Sequence, residues 1–344
     1  MADASHDPRL DGAPDPSGLM RWMTAYWESA ALFAAHRLGI FRALAEEACS
    51  AEQLAARLNL DVRGTRMLLE ACRAMGLAAR EREAYSLTPL AAAYLVPGSP
   101  ACLGGGLEWA AAQWNSWSQI DRAVRSGEPV ERPQAHLGED EEQTRRFVLA
   151  MHARALGVAR GVAPHLGLDG CRAVLDVGAG SGAYAGLLAE WNPTMRVAAL
   201  DLPGILRHTR ELIAEAGLAD RVECIPGDAE EGQYGASEYD GVLFSGVLHQ
   251  FPAESIARML RGAHRALIPG GRVAISDVMR EADGGSAVFA ALFSIQMLLT
   301  TAAGEVFAAA ECVEWLKHAG FVGVKSRTLP PPLPYTVITA RKPE

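Results

Sequence analysis

Residues 173–182 and Asp201 have the residue types and the spacing of a nucleoside-binding site. The first five residues of this stretch are mostly apolar, which is typical of a parallel strand covered on both faces. The turn that follows contains three glycines, Gly178, Gly180 and Gly182. Glycine lacks a Cβ atom, so the backbone can turn sharply there and a ligand can approach it closely. Asp201 ends the next predicted strand, where a carboxylate can accept hydrogen bonds from both hydroxyls of a ribose.

The glycine spacing alone leaves two ligands open. Gly178, Gly180 and Ala183 also match the dinucleotide pattern G-x-G-x-x-G/A, followed by an acid about 20 residues further on. Asp176, just before the first glycine, disfavours a pyrophosphate and favours a cationic amino-acid group, because like charges repel. Asp228, after the next short predicted strand, can accept a hydrogen bond from an adenine amino group. We therefore expect S-adenosylmethionine, which carries an adenosine and a cationic methionine but no phosphate, rather than a dinucleotide.

Composition narrows the class of protein. The 344 residues suffice for two domains or one large one, and 49% hydrophobic with 21% charged residues is typical of a soluble globular chain. The net charge of −9 argues against a nucleic-acid partner. The six cysteines are scattered, which predicts free thiols in a reducing compartment and no metal site. No secretion signal and no apolar run of about 18 residues is found, so we expect a cytoplasmic protein without a membrane partner.

The first third of the chain predicts a disordered tail and a small helical domain. Residues 1–17 are rich in Asp, Pro and small residues and are expected to be disordered. Within residues 18–100, Ser50 and Gln53 form a capping-box pattern at the start of the first of two helices, and a two-stranded hairpin follows. This order is that of a winged helix-turn-helix, whose usual role is DNA reading. The charges on its second helix and hairpin nearly cancel, which favours a packing module instead.

The aromatic residues of the first helical stretch indicate a subunit interface. They are Trp22, Tyr26 and Trp27, more aromatic surface than one thin helix normally shows. Residues 101–163 are predicted to be linker and pocket helices, of which the last leads into the nucleotide domain. Residues 164–344 alternate strands with helices, which predicts a doubly wound parallel sheet. Its last two strands are joined by a connection too short for a crossover helix, so the final strand must run antiparallel.

At this point the sequence resembles the class I S-adenosylmethionine-dependent methyltransferases. It is most similar to the small-molecule O-methyltransferases with an N-terminal winged-helix dimerisation domain, found in plant phenolic and bacterial natural-product pathways. The motifs that carry the resemblance are the glycine turn, Ser-Gly-Val-Leu-His at 245–249, Leu-Ile-Pro-Gly-Gly at 267–271 and the closing strand pair. The resemblance covers about residues 18–342 and implies a seven-stranded Rossmann-like α/β fold, with the last strand antiparallel, and a homodimer.

The resemblance also implies a general base. His249 stands where the family has a histidine after its fourth strand, and an imidazole titrates near neutrality. Asp277 and Glu305 match the two carboxylates that orient this histidine in the family. The chain departs from the family at Gln250-Phe251, where Asp-Trp is frequent, and at 304–307, where Gly-Glu-Val-Phe replaces Gly-Glu-Arg-Thr.

The family's binding residues carry over position by position. The implied cofactor contacts are Asp176, Gly178, Gly180, Gly182, Asp201, Leu202, Asp228, Ala229, Ser245 and Phe251. The implied acceptor pocket is lined by Trp114, Trp117, Met151, Phe289, Phe293 and Met297. The expected activity is methyl transfer from S-adenosylmethionine to a hydroxyl of an aromatic or polyketide-like small molecule in secondary metabolism, without a metal. Alternatives are C- or N-methylation, a cofactor-holding hydroxylase, decarboxylase or cyclase, and a DNA-binding regulator.

Overall fold

A computed structural model describes residues 14–99, 101–280, 288–331 and 333–344 of the chain. The chain divides into two compact units, with the boundary between Leu107 and Glu108. Of the tail that was expected to be disordered, residues 1–13 lie outside the described residues, and Ser17 already begins the first helix. The other domain limits drawn from the sequence, at residues 100 and 163, stay predictions.

The first unit is mostly helical. Its helices are α1 (Ser17–Thr24), α2 (Tyr26–Arg37), α3 (Ile40–Glu46), α4 (Ala51–Leu58), α5 (Val62–Ala74) and α6 (Pro89–Tyr94). Strands β1 (Ala78–Glu81) and β2 (Ala84–Leu87) form an antiparallel hairpin after α5. The predicted capping box is confirmed, because Ser50 Oγ accepts from Gln53 N and Ser50 N donates to Gln53 Oε1. The order helix, turn, helix, hairpin is therefore the one predicted.

Several short helices and one long helix precede the sheet. They are α7 (Gly104–Ala112), α8 (Trp114–Trp117), α9 (Ile120–Ser126) and α10 (Glu141–Val162). The segment from α7 to α9 is helical but not continuous, because the helix breaks twice. At the breaks Ser116 N donates to Gln113 O and Gln119 N donates to Ser116 O, bonds of the i→i+3 type that tighten the turn. Helix α10 is capped by Asp140, whose carboxylate accepts from Gln143 N.

The second unit is built on a seven-stranded sheet. Its strands are β3 (Ala173–Val177), β4 (Arg196–Asp201), β5 (Val222–Pro226), β6 (Tyr239–Ser245), β7 (Leu267–Asp277), β8 (Val322–Thr328) and β9 (Thr336–Arg341). Their spatial order is β5-β4-β3-β6-β7-β9-β8, and β9 alone runs antiparallel to the other six strands. The seven-stranded fold with an antiparallel final strand is confirmed.

Helices cover both faces of this sheet. They are α11 (Ala183–Trp191), α12 (Pro203–Glu215), α13 (Ala253–Ala266), α14 (Val288–Thr300) and α15 (Ala309–His318). Single 3₁₀ turns lie at Pro133–His136, Ala163–His165, Ala229–Glu231 and Leu248–Gln250. Alternate residues of each central strand enter different cores; Val177 and Phe244 pack in one, and Val174 and Leu243 in the other. Asp176 lies on the same side of β3 as Val174 and is the charged exception in this buried strand.

The described residues contain neither a membrane-spanning helix nor a cluster of metal ligands. No helix in this part of the chain has the length and apolar character needed to cross a membrane. The same residues contain no group of three or more His, Cys, Asp or Glu side chains arranged to hold a metal ion.

Candidate active site

The glycine turn joins β3 to α11 with a backbone that only glycine adopts without strain. Gly178, Gly180 and Gly182 have positive φ angles of 68°, 57° and 75°. A Cβ atom on Gly178 would collide with the side chain of Val247, which follows β6. The absence of that atom lets the turn lie directly against the segment that carries His249.

Asp201 closes the turn from the neighbouring strand. Its Oδ2 accepts from Gly180 N and its Oδ1 accepts from Leu202 N, each at 2.7 Å. Burial raises the pKa of the Asp201 carboxyl to about 6, although the two amide donors act in the opposite direction. An ionised carboxylate offers about four lone-pair positions. The two left open are available to the hydroxyls of a ribose.

One oxygen of the buried Asp176 carboxylate lacks a hydrogen-bond donor among the described residues. The Asp176 side chain is 2% exposed, and its Oδ2 has no hydrogen-bond partner among the described residues. Burial raises the pKa of this carboxyl to about 7, and the nearby Asp201 adds to the effect. Buried polar atoms are almost always paired in folded proteins, so an orphan needs an explanation. A cationic ammonium group, such as that of a methionine moiety, would satisfy it, and the chain's residues therefore fit S-adenosylmethionine.

The other expected cofactor contacts lie at the same edge of the sheet. Asp228 follows β5 and its Oδ1 accepts from Glu230 N, which caps the 3₁₀ turn that begins at Ala229. Ser245 ends β6 and hydrogen-bonds with the Tyr184 hydroxyl, whose pKa is raised by burial to about 12. Leu202, directly after β4, and Phe251, after the 3₁₀ turn that contains His249, are both partly buried. The carboxyl ends of parallel strands are where open α/β sheets bind ligands.

His249 and Asp277 form a hydrogen-bonded pair at this edge. His249 Nδ1 lies 2.6 Å from Asp277 Oδ1, and the two side chains are 12% and 4% exposed. Asp277 Oδ1 also accepts from Val278 N at 2.8 Å. An ionised carboxylate only accepts, so Nδ1 carries the hydrogen and donates it. In the neutral imidazole, Nε2 is then the nitrogen without a hydrogen.

Glu305 pairs with Arg280. Its Oε1 is 3.6 Å from Arg280 Nη2, and its side chain is 56% exposed. Gly304, the residue before it, lies close to the turn that carries His249. A Cβ atom on Gly304 would lie 2.5 Å from the carbonyl oxygen of His249. An orienting role of Glu305 toward the imidazole stays a prediction.

Part of the expected acceptor pocket is assembled on α14. The rings of Phe289 and Phe293 stack at 5.9 Å, and Phe293 meets the His249 imidazole edge to face at 4.9 Å. Trp117 reaches the same helix, since its Nε1 donates to Gln296 Oε1 at 2.5 Å. Of the remaining expected pocket residues, Met297 is buried, Trp114 is exposed and Met151 is half-buried.

Helix α10 contributes two residues that the sequence analysis did not single out. His152 Nδ1 lies 3.1 Å from Ser181 Oγ in the glycine turn, and burial lowers the pKa of His152. Arg154 places its guanidinium carbon 5.8 Å from the Phe293 ring centroid. Both closely follow Met151, which the sequence analysis had placed at the pocket. Two basic side chains within three residues of Met151, in a mostly apolar part of the helix, are the sequence signal that could have identified them.

Comparisons with known proteins agree with this geometry. A family model described as "O-methyltransferase domain" matches residues 129–322, and one described as "O-methyltransferase dimerisation domain" matches residues 20–97. The chain is 32% identical over 315 residues to 3-hydroxy-5-methyl-1-naphthoate 3-O-methyltransferase of Streptomyces sahachiroi, covering 90% of this chain and 91% of the relative. It is 31% identical to the tetracenomycin polyketide synthesis 8-O-methyl transferase TcmO of Streptomyces glaucescens, covering 95% and 97%.

The solved structures agree as well. PigF with SAH superimposes with a TM-score of 0.84 at 25% identity, covering 96% of this chain and all of that one. The glycine turn, its two buried carboxylates and the His249–Asp277 pair thus occur in a chain matched along most of its length. It belongs to the S-adenosylmethionine-dependent O-methyltransferases of secondary metabolism, the family whose members carry an O-methyltransferase dimerisation domain.

Proposed function

We propose that the protein methylates a hydroxyl group of an aromatic or polyketide-like small molecule, with His249 as the general base. The observation that carries the proposal is the 2.6 Å bond between His249 Nδ1 and Asp277 Oδ1. It leaves Nε2 as a proton acceptor beside the aromatic ring of Phe293, at the sheet edge where the glycine turn lies.

The residues proposed to hold the cofactor divide by the group they bind. Asp176 would accept from the ammonium of the methionine, Asp201 from the ribose hydroxyls and Asp228 from the adenine amino group, with the glycine turn between them. When bound, the cofactor supplies an electrophilic methyl group on a sulfonium. The chain's own contribution is to hold the acceptor oxygen in line and to take its proton at His249 Nε2. Asp277 then stabilises the imidazolium.

The relatives and the pocket support the acceptor class. The two similar proteins are named for a hydroxynaphthoate and for a polyketide. In this chain the stacked rings of Phe289 and Phe293 offer a flat apolar wall next to the base. Such a wall suits a flat aromatic acceptor, because ring pairs are favourable in stacked and edge-to-face arrangements.

The test is turnover with a panel of phenolic and polyketide acceptors, followed by mass spectrometry of the product and of S-adenosylhomocysteine. His249→Ala should lower kcat by about 10²–10⁴-fold while cofactor affinity stays within about twofold. His318→Ala, a substitution of an exposed histidine on α15, is the matched control and should leave kcat unchanged. Equal loss of kcat and cofactor affinity in His249→Ala would contradict the role of base.

The same experiment separates the alternative chemistries. A product that gains a methyl group on carbon or nitrogen would replace O-methylation, and the position of the label in the product identifies it. A changed acceptor without S-adenosylhomocysteine would point to hydroxylation, decarboxylation or cyclisation, and would leave His249 without the proposed role.

A homodimer through the first unit belongs to the same proposal. The matched dimerisation domain covers α1 to α6. Large apolar side chains on α1 and α2 are exposed in the single chain: Trp22, Met23 and Trp27 are 65%, 68% and 60% exposed. Exposed apolar surface of this kind marks protein–protein contacts.

A further inference from the structure

The positively charged guanidinium of Arg154 contacts the same aromatic ring as His249. Arg154 lies on α10, three residues after Met151 and therefore on the same face of the helix. Its guanidinium carbon lies 5.8 Å from the Phe293 centroid, and the Phe293 ring lies 4.9 Å from the imidazole of His249. Phe293 thus contacts both a positive charge and the proposed general base.

The guanidinium makes few hydrogen bonds to the part of the chain that the structure describes. In that part its one hydrogen bond runs from Nη2 to Tyr335 Oη at 3.5 Å, a long contact. Among the described residues no carboxylate lies within ion-pair distance of Arg154, whereas Arg80 and Arg280 each pair with two. A partly buried arginine with unused donors is suited to a bidentate anion, because its planar fork matches a carboxylate.

We propose that Arg154 binds a carboxylate of the acceptor, so that the preferred substrates are hydroxyaryl carboxylates. This assignment rests on the proposed function, since it names the substrate class of the same site. The acceptor ring lies along Phe293 with its hydroxyl at His249 Nε2 and its carboxylate at the Arg154 fork. Arg154 is a specificity residue here, because the charge it binds is remote from the oxygen that reacts.

The test is binding of a matched ligand pair in the presence of S-adenosylhomocysteine, measured by titration calorimetry. 1-Naphthoate and 1-naphthamide have the same ring and nearly the same shape, but only the first is charged. The wild-type protein should bind 1-naphthoate at least about tenfold more tightly. Arg154→Gln should reduce that ratio to below about threefold by weakening naphthoate binding alone. The affinity ratio of Arg154→Lys should fall between those of wild type and Arg154→Gln, because lysine keeps the charge but lacks the paired donors of the guanidinium.

Arg160→Gln is the control on the same helix. Arg160 is exposed near the end of α10, and its substitution should leave both affinities unchanged. Equal wild-type affinities for the two ligands, no binding of either, or a parallel loss of both in Arg154→Gln would overturn the assignment. The last result would mean that Arg154 only supports the packing of Phe293.

Turnover distinguishes this inference from the proposed function. Hydroxynaphthoates and the corresponding naphthols serve as the acceptor pairs, and S-adenosylhomocysteine is the readout. Methylation of both members at similar kcat/KM would overturn the carboxylate assignment and leave O-methylation of a hydroxyl intact. Tight, Arg154-dependent binding of naphthoate without S-adenosylhomocysteine from any hydroxyl acceptor would support the binding site and contradict the proposed function.

Discussion

In the proposed mechanism, Asp277 decides which nitrogen of His249 is available to a substrate. Its Oδ1 lies 2.6 Å from Nδ1 and also accepts from Val278 N, so the carboxylate is held from two sides. Asp277→Asn keeps the shape of the side chain but can present an amide N–H to Nδ1, which favours the opposite tautomer. We expect kcat to fall by about 10²–10⁴-fold with cofactor affinity unchanged. Single-turnover kinetics and calorimetry measure the two quantities, and a kcat within threefold of wild type would disprove the orienting role.

Asp176 makes the stability of the cofactor-free protein depend on pH. Burial raises its folded-state pKa from 3.8 to about 7. The unfolded chain therefore loses this proton at lower pH than the folded protein, and stability falls as pH rises from about 4 to about 7. Below this window both states are protonated, and above it both are ionised, so the full penalty is present at pH 8. The slope for one proton is about 1.4 kcal/mol per pH unit.

Asp176→Asn removes that titration and should stabilise the cofactor-free protein. Its melting temperature should exceed that of wild type, and the excess should grow from pH 5 to pH 7 and then level off. Asp220→Asn, a substitution of an exposed aspartate, is the control and should show no such trend. Calorimetry should also show at least about tenfold weaker S-adenosylmethionine binding, since the ammonium loses its charged acceptor. A pH-independent difference in melting temperature would refute the shifted pKa.

At the scale of elements, the turn between α14 and α15 packs against the 3₁₀ turn that carries His249. A Cβ atom on Gly304 would meet the His249 carbonyl at 2.5 Å and would also collide with Thr301 Oγ1, to which Gly304 N donates. Gly304→Ala should displace the 3₁₀ turn that carries His249 and lower kcat by about tenfold or more, with cofactor affinity nearly unchanged. Ala303→Ser on the exposed neighbour is the matched control. A wild-type kcat in Gly304→Ala would show that the turn containing Gly304 accommodates the added methyl group without displacing His249.

The elements also show where sequence reasoning stops. The pairing of His249 with Asp277 joins residues 28 positions apart. His249 lies in the 3₁₀ turn after β6 and Asp277 ends β7, and these two strands are parallel neighbours whose carboxyl ends meet. Arg154 and Phe293 are far apart in sequence, and their contact depends on how α10 and α14 pack, which hydrophobic patterning does not specify. The break between α7 and α8 depends on packing in the same way, since the Gln113 side chain at this break accepts a hydrogen bond from Gln296 of α14.

At the scale of the molecule, the sheet was predictable because its signals are strong and local. Apolar runs such as that of β3 need cover on both faces, and the short connection between β8 and β9 permits only an antiparallel pair. Local sequence signals do not indicate whether an exposed side chain contacts a partner subunit. The aromatic residues near the N-terminus are such a case, and their role has to be tested on the assembled protein.

Helices α1 and α2 carry the apolar surface on which the proposed homodimer depends. Trp22 and Trp27 are 65% and 60% exposed in the single chain. Burying a large aromatic side chain contributes about 1.5–3 kcal/mol, and a buried charge at the same place opposes association. Trp22→Glu combined with Trp27→Glu should therefore convert a dimer into a monomer, as measured by size-exclusion chromatography with light scattering.

The circular dichroism spectrum of the double variant should stay unchanged, because neither side chain belongs to the buried core of the first unit. Arg63→Glu on α5 controls for the added charge. A dimer that persists in the double variant would place the interface on another face of the chain.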